Sequence, residues 1–162
     1  MNDLNWLKLA YEYIGLEEIP GARHNATILK WLAYLKAWWR DDETPWCGVF
    51  VAYCLENSGF SLPEFWMRAR AWLDWGTPLM TPAVGCVVVF GRVGGGHVGF
   101  VVGQDERGNL LVLGGNQGNK VSIAAFPRER VLGYCWPPGL PMPPLVSLPK
   151  KSVGAALSTN EA

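Results

Sequence analysis

A chain of 162 residues, 49% of them hydrophobic, has room for one domain with a real core and would be cramped as two. Fourteen Lys and Arg balance fourteen Asp and Glu, so no global positive field is available to hold a polyphosphate, and nucleic acid is not expected as a partner. Nine tryptophans are many for this length; most are expected to fill core and helix-packing positions, with some left to line a groove for a sugar or peptide.

The opening MNDLNWLKLAYEYIG carries acidic and polar groups where a secretory signal has a basic start and an unbroken apolar run. Synthesis in the cytoplasm without a signal peptide is expected. Residues 4–14 and 26–39 place Leu, Trp, Tyr and Ile at helical spacing, and Pro20-Gly21 separates them. A third helix is predicted over 46–57, with Thr44-Pro45 as its start signal and Ser58-Gly59 as its stop, and 66–75 is a candidate fourth. After Pro82 the texture changes to short β-branched runs at 86–90, 97–102, 110–113, 121–126 and 131–136. Helices followed by a meandering antiparallel sheet make an α+β fold. The longest apolar stretches, VGCVVVF and VGFVVG, fall far below the roughly 20 residues of a spanning helix, so no membrane insertion is expected. Six of the twelve prolines lie between 137 and 149, which divides the chain into a domain over 1–137 and a disordered tail over 138–162.

Four cysteines without CxxC spacing, beside only two histidines, argue against structural zinc. Cys54, Cys86 and Cys135 sit in apolar segments as buried, reduced thiols would. Cys47 differs, because it falls in the first turn of the predicted third helix. There, unpaired N–H groups and the positive end of the helix dipole favour thiolate, and its own N–H can donate to an oxyanion. Phe50, Val51 and Cys54 follow on the same stripe, so spacing alone leaves catalytic and buried-core readings of Cys47 even.

His97 breaks that tie. It follows Gly94-Gly95-Gly96 and opens an apolar strand, whereas the other histidine, His24, lies in the polar stretch GARHNAT and is expected to be exposed. The strand from His97 turns within 105–109 and returns toward Asn116 and Gln117. A two-residue loop puts Asn116 opposite His97, and a four-residue loop leaves it on the same face; only an odd loop or a bulge brings Gln117 there. An Asn carbonyl accepting the imidazole N–H would fix its tautomer. Without His97, Asn116 in GGNQGN would be read as a turn residue.

The order Cys, His, Asn, with TPWCGVFVAYCLENSGF, GHVGFVVG, LVLGGNQGNKVSI and LGYCWP, resembles the CHAP and NlpC/P60 superfamily of papain-like cysteine peptidoglycan hydrolases, in its phage and prophage endolysin-like branch. The resemblance covers roughly residues 5–137. It implies Cys47 as nucleophile, His97 as base and Asn116 as the group orienting it, with no cofactor or metal. Trp46, Gly96 and Gln117 flank these positions and are expected to contact substrate. Two departures stand out: Gly85-Cys86 where many relatives have Gly-Asp, and Gly114 where some CHAP enzymes carry a Glu.

The implied substrate is cell-wall peptidoglycan, cut in the stem peptide or at its link to N-acetylmuramic acid, by a monomer. Without a signal peptide, the wall would be reached through holin release, virion delivery or injection. Two rival readings are a cysteine amidase toxin delivered by a secretion system, and a non-catalytic wall-binding module with a merely buried Cys47.

Overall fold

In the computed structural model, which describes residues 4–19, 24–41, 45–92 and 95–151, the helices end where local chemistry stops them. Helix α1 spans Asn5–Glu12 and ties to the sheet through the Trp6 indole N–H, which donates to the Gly85 carbonyl at 2.8 Å. Helix α2, Ala26–Tyr34, is capped by Asn25, whose side chain accepts from the Thr27 and Ile28 amides. It stops well short of residue 39. Lys36 takes the left-handed conformation (φ 60°), with Lys36 N–H bonded to Ala33 O and Ala37 N–H to Leu32 O, a Schellman closure that apolar periodicity does not reveal.

Helix α3, Cys47–Asn57, agrees with expectation and is buried almost all round. The expected fourth helix is instead a 3-10 turn, Ala69–Asp74. The Trp72 and Trp75 indoles donate to the Trp66 and Ser61 carbonyls, 3.0 and 2.7 Å away, and pin this segment in a tighter coil.

Six antiparallel strands form one sheet in the order β1-β6-β2-β3-β4-β5: β1 Thr77–Leu79, β2 Val87–Arg92, β3 Gly95–Gln104, β4 Leu110–Gly114, β5 Ser122–Phe126 and β6 Val131–Trp136. All five strands read from the sequence are present. The edge strand β1 was not foreseen, because three residues around Pro78 carry no alternation and Pro is tolerated only at an edge. Helix α3 packs across β3 and β4, with Phe50 against Phe100 at 6.4 Å between ring centres. Its close seat depends on Gly48, where a Cβ would lie 2.5 Å from the Trp66 carbonyl oxygen.

After β6 the Trp136 indole donates to Pro141 O, Leu148 is buried, and Gln104 exchanges backbone hydrogen bonds with Pro149 and Lys151. The segment expected to be disordered from 138 therefore contacts the domain as far as Lys151. The remainder of that tail, 152–162, lies outside the described residues, as do the Pro20-Gly21 break, Thr44 and Gly94. His24, expected to be exposed, is half-buried. No helix among the described residues is long and apolar enough to cross a membrane.

Candidate active site

Cys47 is the first residue of α3, and Trp46 before it supplies no side-chain cap. The thiol is buried, and burial pushes its pKa up. Hydrogen bonding from the Val98 and Gly48 amides, the nearby charge of Arg92 and the residue's own amide pull it down without reversing that shift. Burial thus works against the thiolate that the helix terminus was expected to favour, and it is the largest of the influences on this thiol. The Val98 amide places the sulfur one residue from His97 along β3.

His97 is fully buried. Its imidazole lies nearly parallel to Phe126 (5.4 Å between centres, 19°) and Phe90 (6.3 Å, 22°), which themselves stack at 4.6 Å. Its Nε2 stands 2.9 Å from Gln117 Oε1. The Gln117 amide cannot turn over without loss, because its Nε2 donates to Val112 O at 3.1 Å, Ser122 O at 2.8 Å and the Ser122 hydroxyl at 3.3 Å. Its oxygen therefore points at the imidazole, His97 Nε2 must carry the proton, and Nδ1 keeps the lone pair.

Asn116 does not orient His97, contrary to the hairpin expectation. Gln117 does so, and the register explains why. Gln104 pairs with Leu110, which leaves the five-residue loop 105–109, and a bulge between Val101 and Gly103 then restores Phe100↔Leu113, the register the expectation assumed. However, β4 ends at Gly114, before that register reaches Asn116. A Cβ at Gly115 would lie 2.7 Å from Phe50 Cβ, so the chain presses against α3 there. Asn116 then turns left-handed (φ 60°), and Gln117 N–H bonds Lys120 O. Asn116 is buried, and neither side-chain amide atom has a partner among the described residues.

A Cβ at Gly114 would run into Gln117 Oε1 and stand 3.5 Å from His97 Nε2. The Gln117 amide thus fills the space a side chain at 114 would take. That is the position where the resemblance leads one to expect a Glu in some enzymes.

The other two residues expected to contact substrate have structural surroundings. Trp46 is a core residue, packed on Trp31 at 6.2 Å, with its indole donating to Glu18 at 3.4 Å. Gly96 admits the 3-10 turn, since a Cβ there would meet Phe90 O at 2.9 Å and the Ala69 and Arg70 side chains. Sequence reasoning missed Arg92, Phe90, Phe126 and Ser122. Face parity along β2 and β5 was the available signal for the two Phe residues, and nothing local marks Arg92. Among the described residues no group of three or more His, Cys, Asp or Glu gathers as a metal site would.

Comparison with known proteins adds one match. The family model described as CHAP domain aligns with residues 39–116, a span that holds Cys47, His97 and Asn116 and stops one residue before Gln117. No curated protein matches the chain. A CHAP domain implies peptidoglycan hydrolase or amidase-type activity in general, and such domains are typically cysteine- and histidine-dependent.

Proposed function

Because residues 39–116 carry a CHAP domain, of the CHAP/NlpC-P60 superfamily, we propose that the protein cleaves an amide bond of peptidoglycan with Cys47 as nucleophile, His97 as base and Gln117 as the group that orients it. The observation that carries this reading is the fixed Gln117 amide: it leaves the basic nitrogen of His97 at Nδ1, on a residue whose neighbour's amide holds the Cys47 sulfur.

The chemistry follows from these parts. His97 Nδ1 takes the thiol proton as the sulfur attacks the amide carbonyl carbon, and the developing oxyanion is met by backbone N–H in the first turn of α3. The imidazolium returns the proton to the leaving nitrogen as the C–N bond breaks. Water, losing a proton to Nδ1, then attacks the thioester, and the released sulfur recovers that proton. Gln117 accepts from Nε2–H throughout and holds the ring plane. With Cys47 4% and His97 0% exposed, substrate entry requires the site to open.

The bond is assigned to the stem peptide or its link to N-acetylmuramic acid, and the role to a phage or prophage endolysin that reaches the wall through holin release, virion delivery or injection. Mass spectrometry of muropeptides released from purified walls is the test. New amine and carboxyl termini at one amide, absent with Cys47→Ala, are expected; intact walls, or equal release by the variant, would overturn the proposal.

A further inference from the structure

The short turn Arg128–Arg130 between β5 and β6 takes no part in the chemistry above, yet it aims a charge at the base. The Arg130 guanidinium lies 5.8 Å from the centre of the Phe90 ring and 5.7 Å from that of Phe126, within cation–π range of both, and its Nε reaches the Gly91 carbonyl at 3.4 Å. Phe90 is the cross-strand partner of His97, and Phe126 stacks on both. The two rings that fix the imidazole plane are therefore themselves held by one cation.

We propose that Arg130 is a positioning residue for His97: it holds the Phe90 and Phe126 rings against the imidazole, and its charge disfavours the imidazolium. This rests on His97 being the base of the proposed reaction.

Several groups are brought toward His97 by the elements around it. Cys47 comes from α3, its thiol pKa pushed up by burial. Arg92 stands at the end of β2, and Arg70, from the 3-10 turn, donates to Gly95 O. Gln117 is neutral. Arg70 and Arg92 are exposed, so water screens them more than Arg130, which is half-buried over the two aromatic rings. The Arg130 guanidinium is 5.7 Å from the Phe126 ring centre and that centre is 5.4 Å from the imidazole's, and a unit charge about 10 Å away at an effective permittivity of 20 to 40 shifts a titration midpoint by about half to just over one pH unit. A base kept neutral near neutral pH is ready to take the thiol proton.

The chain has only two histidines, so His24 serves as an internal reference in an NMR titration of imidazole signals. Titrating the full chain as Cys47→Ala isolates His97 from the thiol. Adding Arg130→Gln should raise the His97 midpoint by about half to one pH unit and leave His24 in place, while Arg130→Lys, which keeps the charge, should hold the midpoint within a few tenths. An unmoved His97 midpoint in Arg130→Gln would overturn the proposal, as would an equal rise in Arg130→Lys. Arg130→Met, which keeps length without charge, replaces the glutamine variant if that one fails to fold. The readout needs no peptidoglycan: a shifted midpoint, together with an unsubstituted chain that leaves walls intact, would refute the proposed function and leave the coupling of Arg130 to His97 standing.

Discussion

Cys47 owes its place to the eleven residues of α3, whereas His97 is held by a glutamine twenty positions downstream and by rings from β2 and β5. The sulfur is surrounded by backbone amides, of Val98, Gly48 and itself. The imidazole is surrounded by side chains, each fixed by another: Gln117 by Val112 and Ser122, Phe126 by Phe90 and Arg130. Backbone donors survive most substitutions around them, while a chain of side chains breaks at any link. Sensitivity to mutation should therefore spread widely on the sheet side and concentrate on Cys47 itself on the helical side.

The largest effect tests that asymmetry directly. Cys47→Ala should abolish wall hydrolysis, a loss of about a thousandfold or more, while keeping the thermal midpoint close to that of the parent, because the small side chain suits the first turn of α3. Loss of folding along with activity would mean that the thiol's role is packing.

Next in size, Gln117→Ala should lower kcat by about a hundredfold, and Asn116→Ala by far less, since it is Gln117 Oε1 that stands against His97 Nε2. Turnover assays on the two variants that gave the reverse order would show that the loop at 115–118 rearranges around substrate.

Gly114→Ala should push the Gln117 amide off His97, lowering turnover about tenfold and stability by about 1–3 kcal/mol, read from a denaturant melt. Parent-like kinetics there would mean that the amide gives way without cost.

Smaller effects come from the thiols. Burial pushes Cys86 up to about 12 and Cys54 well above the ordinary thiol value. Above about pH 8.5 the unfolded chain releases protons that the folded chain retains, so stability must fall as pH rises toward 12. The slope approaches about 1.4 kcal/mol per pH unit for each such thiol, and urea melts at pH 8 and 10 should show it flattened in Cys86→Ala. The smallest expected change is at Arg92. Its charge draws the Cys47 thiol downward, so Arg92→Gln should slow alkylation of Cys47 at fixed pH by a few fold, followed by mass spectrometry.

The sequence by itself determined the α+β order, the five strands after Pro82, a third helix with Cys47 in its first turn and a strand that carries His97 near its start, because each follows from periodicity or from a residue that local backbone chemistry singles out. It also narrowed the orienting group to Asn116 or Gln117. Only the tertiary structure decided between them. The odd hairpin loop and the bulge at Val101/Gly103 cancelled in register, and what tipped the choice was the early end of β4, where Gly115 meets Phe50 and the left-handed Asn116 swings Gln117 back onto His97. That meeting involves residues 65 positions apart, and no local pattern encodes it. Likewise the helix terminus at Cys47 was legible, but the burial that pushes its thiol pKa up was not, since that depends on how the elements around it close.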